Sequence, residues 1–154
     1  MLKRFLIVVV TILVILQFIR PERNLSAAFA NDISTRFPVP EEVGQVLSKS
    51  CYDCHSNYTD YRWYFNVQPL GLWLQRHVDE GKKHLNFSEF ITYSRKKQLH
   101  KLEETVEMLT AREMPLPLYE AVHSSARLSD AERVLLVNWA NALMDRIERE
   151  QPGT

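Results

Sequence analysis

The sequence predicts an all-α fold, in which an N-terminal hydrophobic helix precedes one helical domain. Apolar side chains recur at helical spacing in several segments, capping residues stand at the segment ends, and no segment alternates polar and apolar residues as a strand would. The 154 residues fit one modest domain, and 45% hydrophobic with 25% charged content is that of an ordinary globular chain. The formal net charge of zero provides no basic field for nucleic acid.

The N-terminal segment, residues 1–23, is predicted to be a targeting or anchoring device. Lys3 and Arg4 precede an uninterrupted apolar run over residues 5–19, and Arg20 follows it. As a helix this run would span roughly 22 Å, which is short of the ~30 Å hydrocarbon core of a bilayer. A membrane span is therefore marginal but feasible with tilt or local thinning.

Two interpretations of this segment remain open. Residues 2–20 could be a retained single-pass anchor, or the chain could be cut at Ala28-Phe29-Ala30, which has the small-x-small form of a signal-peptide cleavage site. Both interpretations export residues 31–154. The predicted location is therefore the inner membrane with the domain in the periplasm, and a cleaved periplasmic form is the alternative.

A polar tether is predicted at residues 24–37, and the domain is predicted over 38–150. The first domain helix is predicted to begin at Pro40, because proline suits a first helical turn. Its apolar residues recur at i, i+3 and i+4 and run directly into Cys51. This first helix therefore leads straight to the first cysteine.

The middle of the domain is predicted to contain two helices after an irregular aromatic segment at 58–68. Pro69 opens the first of these helices, and Gly81 is expected to stop it. Asn86 and Glu89 form an N-cap pair that begins the second, short helix.

The C-terminal part is predicted to hold two longer helices separated by a break. Leucine and valine at helical spacing indicate a helix over about 95–111, and the prolines of segment 112–119 exclude its continuation. Ser129 and Glu132 form a capping box that begins the last helix, predicted at about 130–149.

Both cysteines of the chain lie in the stretch "KSCYDCHSN", as Cys51 and Cys54, with His55 directly after the second. This Cys-x-x-Cys-His spacing is the attachment motif of c-type haem, with two thiols for covalent attachment and an imidazole for the iron. A disulfide, a redox dithiol and half of a zinc site are the alternatives. Predicted export favours covalent haem, with His55 as the proximal ligand.

The opposite ligand of the iron is expected to be Met114, which lies in a proline-bounded loop. His123 is the main rival ligand, and an open sixth position is a further alternative. Met108 and Met144 fall on apolar helix faces, so both are expected in the core. A backbone carbonyl near Pro69 is a candidate partner for the second ring nitrogen of His55.

Burial of the haem by Trp63, Trp73 and Trp139 is expected to tune its potential. Six basic residues lie close together in the Lys82–Lys101 region. A solvated helical face explains this cluster simply. A docking patch for an acidic redox protein partner is the alternative use.

The chain resembles the small bacterial haem-binding domain family built around a Cys-x-x-Cys-His motif. The matching stretches cover about residues 38–145 and are "CYDCHSNYT" (51–59), "RWY" (62–64), Pro69, "GKKHLNFSEF" (81–90), "MPLPLY" (114–119), His123, "LS" (128–129), Glu132 and Trp139. The resemblance implies a cytochrome c-like helical domain around one covalently attached haem c. It implies attachment at Cys51 and Cys54, with His55 proximal and Met114 distal.

These inferences predict an exported mono-haem protein that carries single electrons between redox partners and is not an enzyme. A haem-based ligand sensor or a peroxidase-like protein is the first alternative, and it needs a displaceable sixth ligand. A haem-free dithiol oxidoreductase is the second. Cofactor and fold do not by themselves fix the task of such a protein.

Overall fold

The computed structural model describes residues 1–150, and within this range the predicted all-α class is confirmed. A single antiparallel β-bridge between Leu25 and Tyr58 is the nearest feature to a strand in this range. The α-helices are α1 (Leu2–Leu16), α2 (Glu41–Ser50), α3 (Tyr52–His55), α4 (Leu70–His84), α5 (Arg95–Thr110), α6 (Pro117–Val122) and α7 (Asp130–Arg149). Four short 3₁₀ helices lie between them, at Ile33–Thr35, Trp63–Asn66, Phe87–Thr92 and Ser124–Ala126.

Helix α1 ends at Leu16, before the end of the apolar run, and its side chains are largely exposed. Its C-terminal end is joined to the domain by two hydrogen bonds. Gln17 Nε2 donates to the Gln68 carbonyl at 3.0 Å, and the Gln68 amide donates back to Gln17 Oε1 at 3.0 Å. Within residues 1–150, no helix has both the length and the apolar character needed to cross a membrane.

The segment 24–37 packs against the domain, so its prediction as a tether is wrong. Asn24 is buried, and its side-chain amide donates to the Ser56 carbonyl at 2.9 Å and to Thr59 Oγ1 at 3.0 Å. Ile33 is fully buried in the main core. Composition suggested a solvated linker, but these long-range contacts give the segment a fixed place.

Two hydrophobic clusters hold the domain together. The larger one joins α2, α5 and α7, and α5 and α7 pack along each other. The smaller one is built from Tyr64, Phe65, Leu74, Val78, Tyr119 and Ala126. Cys51 packs against the first cluster and Cys54 against the second. The cysteine motif therefore lies where the two clusters meet.

Helix α4 begins after Pro69 as predicted, but Gly81 does not stop it. The helix continues to His84, and Gly81 lies against the backbone of Cys54. A Cβ at position 81 would be 2.6 Å from the Cys54 carbonyl oxygen. The glycine is therefore required by close packing of α4 on the motif and not by a helix end.

The capping residues identified in the sequence begin the helices where predicted, but one of them has a different hydrogen-bond partner from the one expected. Ser129 and Glu132 form the full capping box of α7. Asn86 caps the Phe87–Thr92 turn as predicted, accepting from the Ser88 amide at 3.0 Å, whereas Glu89 bonds to Asn57 instead.

The predicted break at 112–119 is correct only in its first half. The chain leaves α5 at Ala111, and Arg112 has a positive φ of 59°. Pro117 then occupies the first turn of α6, where proline is well accommodated. Pro117 therefore begins a helix and does not break one.

Candidate functional site

The cysteine motif forms a tight helical turn at the end of α2. Cys51 ends that helix, and its carbonyl accepts hydrogen bonds from the amides of Cys54 and His55 at 3.1 Å and 2.9 Å. Cys51, Cys54 and His55 all line one cavity, and Met114 lines the same cavity. The structure therefore brings together all four site residues predicted from the sequence.

This cavity, which we call the motif cavity, has a volume of about 520 Å³. Cofactor sites commonly have roughly 300–1,000 Å³, so its size is suitable for a cofactor. Most of its surface comes from apolar side chains of several elements, namely Leu47, Leu85, Phe87, Leu109, Leu116, Leu128, Leu136 and Trp139. The space between the motif and Met114 is therefore bordered mainly by apolar groups.

The ring of His55 is oriented by a backbone carbonyl. Its Nδ1 donates to the Leu85 carbonyl at 3.0 Å, and because a carbonyl only accepts, Nδ1 must carry the proton. Nε2 is then unprotonated and can bind a metal. Burial also lowers the pKa of His55, which favours the neutral ring. The prediction of a partner carbonyl near Pro69 is wrong, since Leu85 follows α4 and not the aromatic segment.

The two thiols are free and half-buried. Burial raises the pKa of both Cys51 and Cys54 to about 12. A reactive dithiol has a lowered thiol pKa, so this environment does not favour the dithiol oxidoreductase. Among residues 1–150 no three His, Cys, Asp or Glu side chains are grouped to hold a metal ion, so the zinc alternative gains no support.

Met114 is half-buried on the motif cavity, and its backbone is held by α7. Arg133 Nη1 donates to the carbonyls of Met114 and Leu109, at 3.0 Å and 2.9 Å. Met108 also lines this cavity and is 36% exposed, so its predicted core position is wrong. Met144 packs against the main core as predicted.

His123 does not line the motif cavity. It is 7% exposed, and its Nδ1 lies 2.6 Å from the Tyr119 hydroxyl. That hydroxyl in turn donates to Asp53 Oδ2 at 2.5 Å. The structure thus separates His123 from the other predicted site residues and engages it in a chain of hydrogen bonds.

The three tryptophans have different environments. Trp139 lines the motif cavity and is 9% exposed. Trp73 is half-buried and packs on His77, with ring centroids 4.0 Å apart. Trp63 is 76% exposed, so its predicted role in burying the site is wrong.

Sequence reasoning missed the ionisable residues around the motif cavity. Side chains of α4 and α5 contribute them, namely His77, Glu80, His84, Lys101, Glu104 and Glu107. Their spacing of three to four residues places them on one face of each helix, but nothing in the sequence indicates that both faces border one cavity.

Several cations of the Lys82–Lys101 region have internal partners. Lys82 donates to Asn24, Arg95 donates to the Ile147 carbonyl, and Lys101 pairs with Glu104. Whether this region also docks a partner protein stays a prediction.

Comparison with known proteins gives one result. A family model described as a haem-binding domain matches residues 11–142, which is most of the chain. No curated protein and no solved structure matches the chain.

Proposed function

Since the chain belongs to the haem-binding domain family, we propose that it holds one haem c covalently and carries single electrons between redox protein partners. One observation carries the proposal: Cys51, Cys54, His55 and Met114 line a single apolar cavity. The family supports haem binding in general. We infer the covalent attachment, the ligands and the electron transfer from the residues of the motif cavity.

The residues around the motif cavity fit a haem. The lining supplies two thiols, an imidazole whose Nδ1 carries the proton, and a thioether. The Ser50 hydroxyl is buried on this cavity without a hydrogen-bond partner, as expected where a bound group supplies one. Helices α2 and α7 also pack together, which supports the cytochrome c-like arrangement.

We assign the attachment to Cys51 and Cys54, the proximal ligand to His55 Nε2 and the distal ligand to Met114. When bound, the haem supplies the reversible one-electron chemistry of its iron. The chain's own contribution is to fix these ligands: Leu85 orients the imidazole, and Arg133 holds the backbone of Met114. Apolar residues around them exclude water, which together with the axial ligands tunes the potential.

The electron carrier is favoured over the alternative of a ligand sensor or a peroxidase-like enzyme. Those functions require a sixth position that an outside molecule can occupy. Here Arg133 bonds the carbonyl of Met114 to α7, so the loop that carries the thioether is constrained. A fixed ligand changes little between oxidation states and suits electron transfer.

We further propose that the domain lies in the periplasm and that the N-terminal segment is retained. Lys3 and Arg4 followed by an apolar helix support export. Cleavage after Ala30 would remove Asn24, whose buried side chain bonds to Ser56 and Thr59. Retention therefore agrees with the packing of the domain, and membrane fractionation of the full chain tests it.

A haem stain on a denaturing gel tests the central proposal, because only covalently held haem survives denaturation. The full chain from cells competent in haem attachment should stain. The double variant Cys51→Ala/Cys54→Ala should not, whereas the exposed-site control Ser125→Ala should stain like the unmodified chain. An unstained band for the unmodified chain would overturn the proposal.

A further inference from the structure

A chain of three hydrogen-bonded side chains, which we call the His123 chain, lies beside the motif cavity. Asp53 lies inside the cysteine motif, Tyr119 is on α6, and His123 follows α6. Tyr119 donates to Asp53 Oδ2 at 2.5 Å, and His123 Nδ1 lies 2.6 Å from the same hydroxyl. None of the three residues of the His123 chain has a role in the haem attachment or iron ligation proposed above.

The proton positions within the chain follow from the donors available. A carboxylate only accepts, so the single Tyr119 hydrogen is committed to Asp53. The Tyr119 oxygen must then accept from His123, and Nδ1 of His123 carries the proton. In the neutral ring Nε2 is therefore unprotonated and can accept a proton.

His123, at one end of the His123 chain, lines a groove of about 1030 Å³, which we call the polar groove. Besides His123 and Asp53, its polar surface includes Asp32, Glu41, Ser48, Lys49, Ser56, Asp60, Arg62, Ser88 and Ser125. Asp53 and Tyr119 also line the motif cavity. The His123 chain thus connects a solvent-open groove with the wall of the proposed haem site.

We propose that the protein carries a proton together with its electron, and that His123 is the proton site. This inference rests on the proposed function. When a one-electron donor protein reduces the site, one proton from the polar groove binds His123 Nε2 and the neutral imidazole becomes an imidazolium. Reoxidation by an acceptor protein returns that proton to the groove, so charge and protons balance in each direction.

Burial and the charges that face His123 set its pKa in the oxidised protein, and the added electron then shifts that pKa. Burial lowers the pKa of His123, Arg62 lowers it further, and Asp53 and Asp60 raise it. Tyr119 contacts the ring but is neutral, since burial and Asp53 raise its pKa. An added electron attracts a proton, so the pKa of His123 should be higher in the reduced protein. The midpoint potential should then fall as pH rises between the two values and level off on either side.

The test is the midpoint potential of the haem-loaded full chain, measured from about pH 4 to pH 9, the range that brackets histidine titration. One proton per electron gives a limiting slope of about 59 mV for each tenfold change in proton activity. The unmodified chain should show a sloping segment, and His123→Gln should abolish it. The control His100→Gln, at an exposed ring on α5, should leave it unchanged.

Besides the proposed ligand His55, two histidines border the motif cavity, His77 and His84, and they provide a stringent comparison. If His77→Gln or His84→Gln removes the slope while His123→Gln keeps it, the assignment to His123 is overturned. A flat potential in haem-loaded unmodified protein also overturns the inference, but it leaves the proposed electron transfer intact. A protein without covalent haem overturns the proposed function and this inference together.

A second measurement avoids dependence on a variant that folds poorly. The imidazole of His123 can be titrated by NMR in the oxidised and reduced unmodified protein. The inference requires a higher pKa in the reduced protein. Identical values in the two oxidation states would contradict it.

Discussion

Gly44 and Gly81 both lie inside helices, yet the space beside their Cα atoms is very different. A Cβ at Gly44 would touch only Val39 Cγ1, at an ordinary 3.8 Å. A Cβ at Gly81 would stand 2.6 Å from the carbonyl oxygen of Cys54, which is backbone and cannot rotate away. One added methyl group should therefore have opposite effects at the two positions.

We expect Gly81→Ala to destabilise the protein by about 1–3 kcal/mol, because it forces α4 away from the cysteine motif. Gly44→Ala should stabilise it by roughly 0.5–1 kcal/mol, since alanine loses less backbone entropy in a helix. Urea unfolding of both variants measures the difference. A Gly81→Ala variant as stable as the unmodified protein would refute the close packing described here.

Met114 and Met108 provide a second matched pair, because both line the motif cavity. In the oxidised protein, Met114→Ala should abolish the weak far-red band of a methionine–iron bond and lower the potential. Met108→Ala should leave the band in place. If the band instead disappears with Met108 and survives without Met114, the distal ligand has been assigned to the wrong methionine.

Among the helices, one carboxylate links α7 to α2. Glu132 closes the capping box with Ser129 and forms an ion pair with Lys49 of α2 at 2.6 Å. The bond from Lys49, followed by those from Ser129, lowers the pKa of Glu132 to about 2. This carboxylate therefore stabilises the fold only while it is ionised.

Its contribution should be complete above the unfolded pKa, near 4.5, and should be lost as pH falls towards about 2. Because Glu132 is partly solvent-screened, we expect a loss of the order of 1 kcal/mol. Glu132→Gln should flatten this part of the curve of unfolding free energy against pH. Glu103→Gln, on an exposed position of α5, serves as the control and should keep the curve unchanged. An unaltered acid limb in Glu132→Gln would contradict the prediction.

Elements with a local start signal were predictable from the sequence. The capping box at Ser129 and the N-cap at Asn86 act through neighbouring backbone amides, so a few residues contain all the necessary information. Gly81 and Pro117 were predicted incorrectly because each residue type has two structural uses. Glycine can end a helix or permit close packing, and proline can break a helix or begin one.

Within the site, the sequence predicted which residues line one cavity but not the contacts that support them. Cys51, Cys54, His55 and Met114 are identified by residue type and spacing. The Leu85 carbonyl and the Arg133 side chain are held beside them by tertiary packing, and no local pattern marks either one. The exposed position of Trp63 could not be predicted for the same reason, since its aromatic neighbours suggested a core.

At the scale of the whole molecule, the segment 24–37 is part of the domain. The Asn24 side chain donates to Ser56 and Thr59 and accepts from Lys82 of α4. These contacts bring residues far apart in sequence to one buried amide, which the polar composition of the segment did not reveal. The boundary of the domain consequently lies earlier than residue 38.

We expect Asn24→Ala to lower the unfolding free energy by roughly 2–3 kcal/mol, because it leaves buried hydrogen-bonding groups without partners. Asn138→Ala, at an exposed position of α7, should change it by less than about 0.5 kcal/mol. Thermal or urea unfolding of the full chain compares the two variants. Equal stability of the two would restore the tether interpretation.

The two residues between the cysteines have distinct partners elsewhere in the chain. Tyr52 packs on Phe87, with ring centroids 5.6 Å apart, and Asp53 accepts from Tyr119. Positions that the attachment motif leaves unspecified are thus constrained by the fold around them. Across related sequences we therefore expect coordinated replacement: a lineage that exchanges Asp53 for an apolar residue should also lose the hydroxyl at 119. The two residues between the cysteines would then distinguish lineages within the family. The cysteines and the histidine could not do so wherever haem attachment requires all three.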